Sequence, residues 1–156
     1  MKKKLSLDDS AGFLVGQLAS RLQLQVDRAL AAEGVTAPQW TVLWILNAGL
    51  AATPSDISDY LSMNTGAVTR LLDRMVDKNL IVRKADEKDR RRILLQITPE
   101  AKALYPRLPP LVAEVVKQFF HDIPAEDLTI FKQILLQAIN NGDSIRKDSS
   151  VTPGSL

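Results

Sequence analysis

The chain has 156 residues, 46% of them hydrophobic, 5% aromatic and 24% charged, with a formal net charge of +2. That length allows one domain, or one domain with an extended second part, and the apolar fraction suffices for a buried core. Having no cysteine, it forms no disulfide, thiolate zinc site or thiol switch, which fits a cytoplasmic protein; no apolar run approaches the roughly 18 residues of a membrane span.

Lys2-Lys3-Lys4 is interrupted by Asp8 and Asp9 before any secretory apolar core, so no signal peptide is expected. Asp8-Asp9-Ser10 opens a helix expected to reach about Glu33, with Gly34 as its stop. Leu14, Leu18, Leu22, Val26 and Leu30 form an i+4 row, and Val15 and Leu24 lie off it. A long helix with so wide an apolar surface needs more than one neighbour. Thr36 caps a second helix from Ala37 to about Ala48, with Trp40, Leu43, Trp44 and Leu46 expected to face inward.

The stretch from Thr53 to Thr98 organises the rest. Thr53 can cap a helix, Pro54 suits its first position, and Asp56 favours the positive end. Ile57, Tyr60 and Leu61 have i, i+3, i+4 spacing, so they are expected on a buried face. Ser62-Met63-Asn64 is a turn, and Asn64 caps the next helix. There Val68, Leu71, Leu72, Met75 and Val76 share a buried face. The opposite face carries Thr65, Gly66, Thr69, Arg70, Asp73, Arg74 and Asp77. Small residues at its N-terminal end permit close approach to a groove, and Arg70 and Arg74 can reach flanking phosphates. Asn79 takes the left-handed stop position.

Two strand-like runs follow, Ile81 to Ala85 and Arg92 to Thr98, around a polar hairpin tip at 86–91. An arginine at that tip, Arg90 or Arg91, can enter a minor groove. Asp89 is expected to orient the Arg91 guanidinium. Short helix, turn, longer helix and hairpin make a winged helix-turn-helix. From Asn64 to Thr98 nine Lys/Arg face five Asp/Glu, a net of +4; the whole chain, with 20 against 18, nets +2, so the remainder nets −2. Positive charge confined to this unit is the electrostatic footprint of a nucleic-acid binder.

Thr98-Pro99-Glu100 begins another helix, but Pro106, Pro109 and Pro110 fall in its second and third turns. An interior proline costs about 3 kcal/mol, so a break is expected at Tyr105 to Pro110 and a new helix from Leu111 to Phe120. Pro124 starts the last helix, with Leu128, Phe131, Leu135 and Ala138, ending near Asn140. From Asp143 to Leu156 the composition predicts a disordered tail. The expected fold class is therefore mainly α with a small β-hairpin wing. It divides into an N-terminal dimerisation helix at 1–36, the winged unit at 37–98, C-terminal dimerisation helices at 99–142 and the tail at 143–156. The flanking helices carry more apolar surface than one small winged domain covers, which points to a two-fold dimer reading two half-sites of a palindrome.

The order of elements and three stretches, TAPQWTVLWIL, LSMNTGAVTRLLDRMVDKNLIVR and DEKDRRRILLQIT, resemble the MarR family of bacterial transcriptional regulators. The resemblance covers about Asp8 to Asn140. Its most specific part is the wing, with Asp89-Arg90-Arg91 at the tip and a return strand ending in Ile97-Thr98. It implies a homodimer on palindromic promoter DNA, usually a repressor, with a recognition helix in the major groove and a wing arginine in the minor groove. By matching position these roles fall to Asn64, Thr65, Thr69, Arg70 and Arg74 on the helix and to Asp89 and Arg91 on the wing. It also implies release by a small anionic, aromatic or phenolic compound bound between the dimerisation helices and the winged unit; there Gln17 and Arg21 can meet a carboxylate, and Trp40 and Trp44 can stack on a ring. Asn79 and the triple-proline break depart from the family pattern, and the absence of cysteine excludes the peroxide-sensing chemistry of some members.

Other classes find little support. His121 is the sole histidine, beside Phe119, Phe120 and Asp122, and no nucleophile elbow, Walker or dinucleotide glycine pattern occurs. One histidine and scattered carboxylates do not make a zinc site. No enzyme, cofactor or metal is expected. The competing expectation is a winged-helix protein-interaction module without sequence-specific DNA binding.

Overall fold

The computed structural model describes residues 10–149, with side chains described as far as Ile145. The chain divides into two compact units, the first ending at Val116 and the second beginning at Lys117.

In the first unit, α1 spans Ala11–Leu30, capped by the Ser10 hydroxyl, which accepts the Phe13 N–H. A 3₁₀ turn at Ala31–Glu33 leads into Gly34, whose φ of 70° ends the helix where a side chain would be strained. The second helix, α2 (Ala37–Asn47), begins with a capping box between Thr36 and Gln39. Asp27 of α1 also accepts the Ala37 N–H, tying the two helices at their corner. Trp44, expected inside, is 46% exposed, while Val42, Leu43 and Ile45 are buried. α2 is apolar on several faces, so its neighbours and not its spacing select the buried one.

A second capping box opens α3 (Pro54–Leu61): the Thr53 hydroxyl accepts the Asp56 N–H at 3.1 Å, and Asp56 accepts the Thr53 N–H at 2.9 Å and the Ala52 N–H at 3.0 Å. Ile57 and Ser58 are its buried residues; Tyr60, expected inside, is 50% exposed. The next helix, α4 (Thr65–Asp77), buries Val68, Leu71, Leu72 and Met75 as its spacing predicts. Asn79, at φ 55°, stops it. The antiparallel hairpin of β1 (Ile81–Ala85) and β2 (Ile93–Ile97) pairs Ile81 with Ile97 and Ala85 with Ile93. The outer edge of β2 is tied to the segment before α3 by the Leu95 N–H, which donates to the Ala52 carbonyl at 2.8 Å.

Thr98 caps α5 (Pro99–Leu104). The proline break is real but shorter than expected. Tyr105–Arg107 is a 3₁₀ turn, and α6 resumes at Leu108 and runs to Phe119. Pro109 and Pro110 then lie in the first turn of α6, where backbone N–H groups have no intrahelical acceptor to lose. The core draws on nearly every element of this unit: Leu30, Val42, Leu43, Ile45, Ile57, Leu72, Met75, Ile81 and Leu108 are all fully buried. The winged elements therefore share one core with the end of α1 and the start of α6.

In the second unit, α7 spans Ala125–Ser149. Phe131 packs on Phe120 with ring centroids 6.0 Å apart. The helix continues through 143–149, where the composition predicts a tail; 150–156 lie outside the described residues. Gly142 is not among the positive-φ glycines, so the helix does not end near Asn140 as expected. A glycine inside a helix costs only about 1 kcal/mol, and helical bonding on both sides offsets it. Ile130, Ile134, Ile139 and Ile145 are exposed along α7.

Candidate nucleic-acid interface

The turn between α3 and α4 is held from both ends. Ser62 takes the left-handed conformation, the Met63 N–H donates to the Ser58 carbonyl, and the Ser58 hydroxyl donates to the Met63 carbonyl at 2.7 Å. Ser58 was not singled out by its sequence context, although a serine at a buried helical position needs a backbone acceptor nearby. The turn delivers Asn64, whose side chain accepts the Ala67 N–H at 2.8 Å.

On α4, Asn64, Thr65, Thr69, Arg70 and Arg74 are all exposed. The Thr69 hydroxyl donates to the Thr65 carbonyl at 2.8 Å, so a partner meets its methyl group and lone pairs. The Arg70 guanidinium lies over Gly66, 3.6 Å from where a Cβ would sit. That end of the helix is consequently thin, with a cation beside it.

The wing tip is a pair of side-chain turns. Asp86 accepts the Lys88 N–H at 2.9 Å and Asp89 accepts the Arg91 N–H at 3.0 Å. Asp89 therefore shapes the backbone, whereas its charge was expected to orient the Arg91 guanidinium; a carboxylate two residues upstream reaches a backbone N–H with less side-chain ordering. The Arg92 N–H donates to the Asp89 carbonyl and its carbonyl accepts the Asp86 N–H, both at 2.9 Å. Arg90 and Arg91 are exposed. Among the described residues the ion pairs are Arg83–Asp73, Arg107–Glu33 and His121–Asp122, and none uses Arg70, Arg74, Arg90 or Arg91.

The Arg83–Asp73 pair at 2.7 Å links β1 to the middle of α4, so helix and wing form one frame. Sequence reasoning placed Asp73 on the outer face without a partner; the ten-residue separation is too long for a helical pairing rule to detect. Asp56, by contrast, acts locally. The Ala52 N–H is the main reason its carboxyl titrates below the ordinary range, ahead of the Thr53 bonds and the charge of Arg92, and partial burial opposes them.

An open cleft of about 520 Å³ lies in the first unit, lined by Leu22, Gln23, Val26, Trp40, Thr41, Leu61, Met63, Val112 and Val116, among others. Of the residues expected around a ligand, only Trp40 lines it; its ring stacks on Tyr105 with centroids 5.6 Å apart. Gln17, Arg21 and Trp44 are not part of the lining. Among the described residues the lining carries no charged side chain, so none of them offers an anion a counter-charge. His121 pairs with Asp122 at 2.9 Å, both exposed, and no group of three or more metal-ligating side chains occurs among the described residues. No described helix is long and apolar enough to cross a membrane.

The family model described as "MarR family" matches residues 33–92. The chain is 33% identical over 92 residues to the multiple antibiotic resistance protein MarR of Salmonella typhimurium, a match spanning 59% of this chain and 62% of that protein. It is 27% identical over 127 residues to MarR of Escherichia coli, across 81% of this chain and 86% of the relative. Among solved structures, a mutant Escherichia coli MarR complexed with operator DNA superposes with a TM-score of 0.75 at 24% identity, covering 81% of this chain and 91% of that one.

Proposed function

We infer the function from the family: the chain belongs to the MarR family of winged helix-turn-helix regulators, and we propose that it is a sequence-specific, double-stranded DNA-binding transcriptional regulator acting as a homodimer in the cytoplasm, with no catalytic role. The observation that carries this reading is the set of exposed cations with no ion-pair partner among the described residues, Arg70 and Arg74 on α4 and Arg90 and Arg91 on the wing, on elements linked by the Arg83–Asp73 pair. A module that binds only proteins has no need of them. The relative's complex with operator DNA gives the same fold a nucleic-acid partner.

In this proposal the N-terminal half of α4 enters the major groove. Asn64 and Thr65 approach base edges, and the Thr69 methyl suits a thymine methyl. Arg70 and Arg74 neutralise phosphates, and Arg91 enters the minor groove with Arg90 on the adjacent backbone. The exposed apolar side chains of α1 (Phe13, Leu14, Val15) and α7 (Ile130, Ile134, Ile139) are buried by a second copy. The dimerisation segments are then 1–36 and 99–142. Two such units address a palindromic promoter site, and occupancy over the promoter represses transcription.

A small ligand in the cleft beside Trp40 would release the DNA. Its apolar, uncharged lining suits a neutral aromatic or phenolic compound better than an anion. Leu61 and Met63 border both the cleft and the turn that precedes Asn64, so an occupant presses on the entry to the recognition helix.

The deciding experiment is fluorescence anisotropy of the protein on a duplex from its own upstream region and on a scrambled duplex, over a salt series. Tight, salt-dependent binding that prefers the native duplex supports the proposal. Salt-insensitive behaviour with no preference supports the protein-interaction module instead.

A further inference from the structure

The C-terminal end of α4 is held by a contact that the DNA-facing residues do not explain. The Lys78 ammonium donates to the Gly34 carbonyl at 2.9 Å and to the Gln39 Oε1 at 3.2 Å. Gln39 is 2% exposed, and the same oxygen accepts the Thr36 N–H at 3.1 Å. The acceptors belong to the corner between α1 and α2, some 40 residues earlier in the chain. That corner is itself rigid: Gly34 is bonded to Ala31, Ala37 to Asp27, and the Thr36–Gln39 box closes the start of α2. Its Glu33 also receives Arg107 from the proline break at 2.9 Å.

On the other side of the same helix end, the Thr98 hydroxyl donates to the Asn79 carbonyl at 2.7 Å, and its N–H donates to the Leu80 carbonyl at 3.2 Å. The end of α4 is therefore clamped between the α1–α2 corner and the base of the wing. Thr98 is fixed by its place at the end of β2. Lys78 is the adjustable half, a flexible side chain gripping two oxygens.

We propose that Lys78 is a positioning residue for DNA recognition, setting the tilt of α4 through Gly34 and Gln39 without touching DNA. The proposal rests on the DNA-binding reading above. Leverage makes it consequential. Asn64 and Lys78 are about 20 Å apart along the helix axis. A tilt of about 5° at one end therefore moves the other by about 1.7 Å, more than the roughly 0.5 Å spread within which hydrogen bonds to base edges stay well formed. A phosphate contact by Lys78 is the competing role. It would withdraw the ammonium from Gly34 and Gln39, and it would leave a different thermodynamic signature, because a neutralised phosphate releases counterions.

The test compares wild type, Lys78→Met and Lys78→Arg on the native upstream duplex and the scrambled duplex across a salt series, with the melting temperature of each protein. Lys78→Met should bind the native duplex about tenfold more weakly, the effect of losing hydrogen bonds to a charged group. Its scrambled-duplex affinity and salt slope should be unchanged. Lys78→Arg should recover most of the loss, since a guanidinium can donate to both oxygens. Unchanged native-duplex affinity in Lys78→Met overturns the proposal. So does an equal loss on both duplexes with the salt slope reduced by about one unit, which marks a phosphate contact. A loss that Lys78→Arg leaves in place overturns it too. A wild type that prefers neither duplex overturns the DNA-binding reading itself, an outcome visible before any variant is compared.

Discussion

Arg83 and Asp73 meet at 2.7 Å, and this pair joins the first wing strand to the middle of the recognition helix. Both side chains are substantially exposed, at 35% and 52%. Such pairs contribute little to folding, about 0–1 kcal/mol. On the proposed DNA-binding reading their value lies in geometry, since wing and helix would have to reach adjacent grooves together. Asp73→Asn should therefore lower the melting temperature only slightly while weakening native-duplex binding several-fold. A double-mutant cycle with Arg83→Ala should show coupling in DNA affinity that exceeds the coupling in stability. Equal coupling in both would show that the pair serves only the fold.

The two classes of arginine should separate by salt. Arg91→Ala should weaken binding to the native duplex by about 1–3 kcal/mol, with the dimer intact by light scattering. Arg70→Ala should weaken binding to native and scrambled duplexes alike and lower the salt slope by about one unit. Loss confined to one sequence on removing Arg70 would contradict its phosphate role.

Asp56 makes the acid side of the stability curve predictable. Its folded carboxyl titrates below the ordinary range, chiefly because the Ala52 N–H bonds the charged form. A group with a lowered folded pKa contributes stability that is fully present above its unfolded value, about 3.9. That stability is lost as pH falls through the folded value. Asp56→Ala should cost about 1 kcal/mol at neutral pH, the usual worth of such a cap. Denaturant titrations of variant and wild type should converge as pH falls below about 4. A gap that does not narrow at all as pH falls would assign the cost to packing.

The apolar row on α7 tests the assembly. Ile134 is 59% exposed in the single chain. If a second copy covers it, Ile134→Glu buries a charge at the interface and should convert the dimer to monomer in sedimentation, with a matching loss of native-duplex affinity. A variant that remains dimeric removes α7 from the interface.

Much of this protein is written in short-range chemistry. Thr36, Thr53, Asn64 and Thr98 cap helices because their oxygens reach an N–H three residues on, a relation that holds whatever surrounds it. Asn79 stops α4, and the hydrophobic rows of α4 and the two strand runs define the recognition helix and the wing, because backbone geometry fixes which side chains share a face. The same locality made the exposed arginines legible. Tertiary structure decided the rest. Trp44 faces outward and Ile45 inward because α2 offers several apolar faces and only its neighbours choose among them. Asp73 finds Arg83, Lys78 finds Gly34 and Gln39, and the open cleft of the first unit takes in Trp40 but not Gln17, Arg21 or Trp44, through contacts that no helical or strand period encodes. Local propensity acts over three or four residues, whereas these pairings span ten to forty-four, and packing of the shared core brings their ends together.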